Sequence, residues 1–462
     1  MESERIVKAK RIGWINRILL TLFFIGTPSF VHADISNILL KFYPYVTAQE
    51  EYNTNILLSP NRDKLDDWIT TVTPGLRFAD LHAGRHGIDL DVSGGYTYYK
   101  DNHDFSYWNA LGRLNAWYAV TPRLTFRLTD YLVRSDAARE NVYSSNLLYD
   151  AQGNYIGDTE PDQYLLSTIR GVQAIYTRNV VEPSVQYRFG RENLASLLYR
   201  NNIYRNENPL FEDSTEHTIN PVLNYWFDIK NGIRLDYRLT FGDFETSPDL
   251  VSQEAGGRYT HRLDPRLSFF GEYTFKRYDF ERPGVDYDVH TPSLGVEYKF
   301  SLTLTGTAQG GYFWKLADDD STTRGPYFRL SLIQIGQKTS YTLIGEGGYT
   351  EDYFTSQNLG FAKYYRVYGT VNHRLTQRLS FQVTGSMERP WYSNGQKDWI
   401  WDARVSASYL LSRWVTVSLE GGHREAHSNV EGLGYSEYSG IFRITVARPG
   451  YQSGMTGGPA LY

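Results

Sequence analysis

Roughly twenty segments of this chain alternate apolar and polar residues, and the connections between them alternate in length. Tight connections hold Thr121-Pro122-Arg123, Lys230-Asn231-Gly232, Asp264-Pro265-Arg266 and Thr376-Gln377-Arg378; long ones run through 135–168 and 318–325. Ile233, Leu235, Tyr237, Leu239 and Phe241 fall on one face of a strand, opposite Arg234, Asp236, Arg238 and Thr240. Such a ribbon has one oily and one wet side. It needs either a protein core or lipid against the oily side. A sheet whose hairpins are short at one rim and long at the other points to a transmembrane antiparallel up-and-down β-barrel, all-β, of about 20 strands within a range of about 18–22.

The competing fold is a tyrosine-rich soluble sandwich, in which the oily rows would face each other. Three features favour lipid. The apolar rows mix Gly and Ala with large residues, which would leave voids in a core. Aromatic residues gather at strand ends, as in Tyr96 with Tyr98, Tyr298 with Phe300, Tyr312 with Trp314 and Trp399 with Trp401. With 38 Tyr, 23 Phe and 10 Trp the chain is 15% aromatic, and girdles at both membrane surfaces account for that excess. The third is the N-terminus, where Lys8, Lys10, Arg11 and Arg17 flank a short apolar run and Val31-His32-Ala33 resembles a cleavage site. Residues 1–33 are therefore expected to be a secretory signal peptide, and 34–462 a single outer-membrane barrel. No later run approaches the length of a spanning helix, about 20 residues.

The chain contains no cysteine, which excludes disulfides and thiolate metal sites. A net charge of −5 over 462 residues argues against a nucleic-acid partner. The expected location is the outer membrane of a Gram-negative bacterium. The expected partners are outer-membrane lipid and the barrel-assembly machinery, with anionic polysaccharide or small solutes as candidate cargo.

Strand alternation assigns Arg113, Arg127, Arg188, Arg234, Asp236, Arg238, Arg258, Arg262, Lys276, Arg329, Arg366, Arg404 and Arg443 to the wet face, as the candidate solute path. Glu182, Glu272, Glu346, Glu388, Asp402 and Glu420 share that face. An excess of arginine inside a pore favours anions. The alternative is that Arg and Glu pair across neighbouring strands and stiffen the wall. Histidine–carboxylate groups at His423, Glu425 and His427, or at Asp101, His103 and Asp104, are candidates for catalysis, but nothing in the pattern places a serine nucleophile against them, so no enzyme is expected. Asp318-Asp319-Asp320 reads as a solvated loop, and no metal or cofactor is expected. The stretch 135–169 is the longest external connection, with room for a further hairpin or an inward plug.

Tyr43-Pro44-Tyr45-Val46, followed by Glu51-Tyr52-Asn53-Thr54-Asn55, Leu65-Asp66-Asp67-Trp68 and Val72-Thr73-Pro74-Gly75-Leu76-Arg77-Phe78, resembles the opening of a family of β-barrel porins. Many members of that family accompany exopolysaccharide and exosortase (PEP-CTERM) gene clusters. Here Asn53-Thr54-Asn55 stands where the family more often has Asp-Asn. The resemblance implies a porin-like barrel linked to exopolysaccharide secretion or surface assembly, and carries no catalytic residues. A structural or adhesive scaffold with a plugged lumen and binding external loops is the alternative.

Overall fold

The computed structural model describes residues 39–82, 85–136, 147–149, 155–158, 171–190, 192–354 and 358–449. The expected signal peptide lies outside them. The chain divides into Met1–Phe42 and Tyr43–Tyr462, and the barrel occupies the second unit. Its strands begin with β1 (Phe42–Asn53), β2 (Asp67–His82), β3 (His86–Tyr99), β4 (Tyr107–Ala119) and β5 (Leu124–Ser135). Two short strands follow, β6 (Leu147–Tyr149) and β7 (Tyr155–Asp158). The wall resumes with β8 (Tyr176–Arg188), β9 (Leu194–Asn206), β10 (Ser214–Trp226), β11 (Asn231–Phe244), β12 (Leu250–Arg262), β13 (Leu267–Phe280), β14 (Tyr287–Lys299) and β15 (Leu304–Ala317). It ends with β16 (Thr322–Ile335), β17 (Thr339–Asp352), β18 (Gly360–Arg374), β19 (Leu379–Tyr392), β20 (Asp398–Ser412), β21 (Val415–Ser428) and β22 (Tyr435–Ala447).

Twenty of these form one sheet, each antiparallel to its chain neighbour, and β1 pairs with β22 from Tyr45↔Ala447 to Asn53↔Ser439. The ring is closed. Closure leaves no sheet edge at the join, the condition for strands to cross a bilayer whose interior offers backbone groups no hydrogen bonds. Twenty strands about 4.8 Å apart and tilted by about 40° enclose a ring about 40 Å across between backbones.

The remaining two strands, β6 and β7, form a separate hairpin inside the expected long connection. The neighbouring strand starts at Tyr176 rather than near 170. The residues before it are held by side-chain and loop contacts: Gly171 N–H donates to Leu57 O, and Gln173 Nε2 to Phe105 O. The tight turns lie at one rim, which outer-membrane barrels place in the periplasm, and they carry their own caps. Asp228 Oδ1 accepts from the amides of Lys230 and Asn231, and Asp264 Oδ1 from those of Arg266 and Leu267. These Asx-type bonds replace the ladder bonds that end at each turn.

Lipid-facing rows are read directly from exposure. Tyr365, Val367 and Val371 of β18 are exposed and alternate with buried Tyr364 and Arg366. Trp401 and Val405 of β20 are exposed and alternate with Ile400, Asp402 and Arg404.

Candidate functional site

Contacts that skip strands show which face is interior. Tyr45 of β1 donates its hydroxyl to Asp91 of β3 at 2.8 Å, and Lys276 of β13 reaches Glu351 of β17 at 3.0 Å. Side chains on strands that are not neighbours meet only across the inside of a ring. Strand pairing carries this assignment from one strand to the next. Gln49 of β1 stands opposite Arg443, Arg113 opposite Tyr131, Arg234 opposite Arg258, Gln309 opposite Arg329, and Glu346 opposite Arg366. Arg127 faces Ser184 of β8, the strand that also carries Arg188 on that face.

Most of the basic groups on this face have an acid beside them. Arg200 pairs with Glu182 at 2.6 Å, Arg238 with Glu254 at 3.4 Å, and Arg234 with Asp236 at 3.8 Å. Arg258 lies 3.9 Å from Glu272 and stacks on Phe270 at 3.6 Å. Arg262 bonds Glu192 at 2.7 Å and covers Trp226 at 3.5 Å. Arg404 sits between Asp402 and Glu420, and Arg443 donates twice to Gln49. Arg366 is buried between Glu346, with which it bonds directly, and Glu388, its register partner on β19. Cross-strand pairing dominates this wall. The middle of the wall and the level of Arg234 below it are wetter. The side chains of Arg234, Arg238 and Arg404 are 53%, 50% and 41% exposed.

The outer half is narrowed by the β17–β18 tip, which parts from β16 while β18 stays paired with β19 up to Ala362↔Tyr392. β17 and β18 stay paired to Asp352↔Gly360, but β16 and β17 part above Phe328↔Gly347. Beyond that point the β17–β18 tip turns inward, and the row that would have faced lipid packs on the inner wall. Glu351 accepts from Lys276 Nζ and from Tyr278 Oη at 2.7 Å. Tyr353 meets Tyr287 hydroxyl to hydroxyl at 2.6 Å, and Phe361 and Tyr349 pack with Phe313. Phe354 stacks on Phe244 of β11, over Gly242, where a Cβ would stand only 2.8 Å from the ring. These residues belong to one buried cluster with Leu250, Tyr278, Tyr287, Val289, Phe313 and Phe361 at its centre.

The first external loop also folds inward. Leu58 is buried with Ile400, Ala426 and Tyr435, while Ile56 packs with Ile69, Tyr99 and Tyr107. Asn55, fully buried, holds the bend by donating to Ser59 O at 2.7 Å and to Ser436 O at 3.1 Å.

The histidine groups singled out in the sequence stand elsewhere. His423 stacks on Tyr438, on the outward face, with Glu425 3.7 Å away and His427 3.0 Å beyond that carboxylate. His103 Nδ1 contacts Tyr99 O in a single 3₁₀ turn, and Asp67 accepts the amides of Asp101 and Asn102. Asp319 caps the amide of Ser321 in its exposed turn, and Asp318 lies 3.7 Å from Arg277. One potential metal-holding set was missed: Asp80, His82 and His86, whose ligand atoms lie within 4.8 Å of one another. His82 and His86 are register partners across the β2–β3 turn. The signal was their spacing on either side of a tight turn.

A family model described as "Putative beta-barrel porin 2" matches residues 41–158 and 249–448, well over half of the chain. The chain belongs to this family. The porin is accordingly an outer-membrane barrel. Among solved structures it is similar to the outer membrane protein opdK from Pseudomonas aeruginosa, at 9% identity and a TM-score of 0.42, covering 88% of this chain and 98% of that one. It is also similar to the FrpB iron transporter from Neisseria meningitidis (F3-3 variant), at 7% identity and TM-score 0.48, covering 90% and 83%. A third is OccAB4 of Acinetobacter baumannii, at 12% identity and TM-score 0.40, covering 88% and 98%. No curated protein matches.

Proposed function

We propose that this porin is a narrowed channel for polar solutes, with acidic oligosaccharides as its cargo class, acting in exopolysaccharide secretion or surface assembly. The solute path is lined by the inward basic residues from Arg113 to Arg443. The observation that carries the reading is the half-exposed, charge-paired lining around Arg234, Arg238 and Arg404, beneath a mouth narrowed by the β17–β18 tip. Matched ions keep the wall polar without a large net field, so a mild anion preference is expected rather than strict selection. The link to polysaccharide rests on the family resemblance. No catalytic role is assigned.

Planar-bilayer recording tests this. Steady conductance with mild anion selectivity, reduced by uronic-acid oligosaccharides added on the periplasmic side, is the expected result. Cation selectivity without oligosaccharide block would overturn it. The second reading, a plugged scaffold, is favoured by the loop packed at Leu58 and Ile56. It predicts silent bilayers for both the wild type and a variant shortened at the β17–β18 tip.

A further inference from the structure

The β2–β3 turn carries chemistry that the solute path does not use. Asp91 lies inside the ring, where Tyr45 reaches it, so the odd positions of β3 face the lumen and the even ones face out. His86 is therefore on the outer face, opposite its register partner His82 on β2. Asp80 precedes His82 by two residues and shares its row. Arg77, bonded to Asp89 at 2.7 Å, belongs to the inward row. Register also gives the height. His86 pairs on its other side with Tyr118 of β4, and Tyr118 with Phe126 of β5. Both aromatics are exposed on the outer face. They mark the girdle at the short-turn rim, the one that outer-membrane barrels turn to the periplasm. The imidazoles stand at that level, where water and dissolved ions reach them; the side chain of His82 is 54% exposed.

Asp80 Oδ1 and His82 Nδ1 are 3.2 Å apart, and the rings of His82 and His86 have centroids 4.6 Å apart. Taken one per side chain, the three ligand atoms lie within 4.8 Å of one another. A tetrahedral ion with bonds of about 2.1 Å holds its ligand atoms about 3.4 Å apart. The Asp80–His82 pair already meets that spacing, and side-chain rotation at the open rim closes the rest. An exposed ion pair by itself stabilises little and uses only one imidazole. The second imidazole, held against the first, repels it when both are protonated. A cation shared by two neutral rings and a carboxylate removes that repulsion and uses all three groups. Two nitrogen donors and one oxygen suit zinc, copper(II) or nickel(II), whereas calcium and magnesium take shells of oxygen.

We propose that Asp80, His82 and His86 bind one divalent transition-metal ion of the zinc class at the short-turn rim, tying β2 to β3 across their turn. The remaining coordination position is left to water. The site does not depend on the barrel conducting, because its three side chains lie outside the lumen.

The test uses the untagged protein, folded in detergent, stripped of metal with a chelator and titrated with zinc chloride by calorimetry. One saturable ion per barrel is expected. His82→Asn and His86→Asn should each weaken binding by about tenfold or more, as the loss of one of three ligands requires. Asp80→Asn should weaken it less. His427→Asn removes an imidazole beside Glu425 at the opposite rim and should bind zinc as the wild type does. Heat-modifiable migration in gels shows that each variant is a folded barrel. Copper(II) gives a second readout on the wild type itself: its EPR spectrum should carry coupling to two nitrogens, and either histidine variant should lose that pattern. Absence of saturable zinc binding would overturn the site. So would unchanged binding in either histidine variant, or binding that depends on His427 instead.

Discussion

The inward position of the β17–β18 tip depends heavily on Glu351. Its carboxylate is almost buried, and one oxygen accepts from both Lys276 Nζ and Tyr278 Oη, at 3.0 Å and 2.7 Å. When that carboxylate is lost, Lys276 keeps Glu254 at 3.5 Å and the ring of Tyr349 at 5.2 Å. Hydrogen bonds to a charged group contribute about 1.5–3 kcal/mol each, and breaking a buried pair by removing one partner costs about 3–5 kcal/mol. A glutamine keeps shape and one acceptor, so Glu351→Gln should weaken docking of the tip by about 2–4 kcal/mol. At about 1.4 kcal/mol per tenfold, the ratio of docked to released tip falls by about 30- to 700-fold. The apolar contacts of Phe354 and Phe361 remain, so the tip should flicker rather than detach. Single-channel recording should then show a larger mean conductance with added fast transitions. Glu254→Gln, which leaves the Glu351 bonds in place, should change conductance much less. Folded Glu351→Gln barrels with wild-type conductance and noise would refute the proposal that this tip limits the mouth.

Three further expectations concern the wall and its loops. Arg366→Gln leaves Glu346 and Glu388 buried without their shared cation, and should lower unfolding stability by about 3 kcal/mol in urea titration of liposome-bound protein; an unchanged midpoint would show that the pair contributes nothing. Leu330→Arg places a charge in the lipid-facing row and should cost about 2–4 kcal/mol in the same titration, whereas Ser331→Arg, on the opposite face, should not; equal costs would contradict the assigned faces. Burial would raise the carboxyl of Glu212, but hydrogen bonds from the hydroxyls and amides of Thr246 and Ser247 outweigh it and hold the pKa below its ordinary 4.5. The folded group thus binds its proton less readily than the unfolded one. Its stabilisation is complete above the ordinary value and disappears as pH falls through the lowered one. Protease sensitivity around residues 245–249 should rise only in that acid range, and Glu212→Gln should show it at neutral pH.

Much of this barrel was legible because strand periodicity depends only on chain geometry. Alternate residues point to opposite faces whatever the strand's neighbours are, so the shared face of Arg234, Asp236 and Arg238 followed from spacing alone. Turn chemistry fixed the short rim, where Asp228 and Asp264 cap their own loops. Strand pairing was less legible. Tyr349 and Glu351 continue the row of Leu343 on β17, which strict alternation directs towards lipid, whereas they pack against the inner wall. The clue was a carboxylate in that row, a costly group to place against lipid. The inward first loop gave still less warning, because Asn55 is an ordinary loop residue until its amide is seen spanning from Ser59 to Ser436. The plug sought at 135–169 stands in part outside the described residues, and the narrowing observed comes from another hairpin.

The pairing of β1 with β22 makes barrel formation close to all-or-none. A nascent ring lacking β22 would present two raw borders to hydrocarbon, with the amides and carbonyls on both sides unanswered. Partial insertion therefore has no comfortable resting state, and the residues from Tyr435 to Ala447 act as a clasp. Losing a single strand there would not trim the vessel; it would leave it unable to seal.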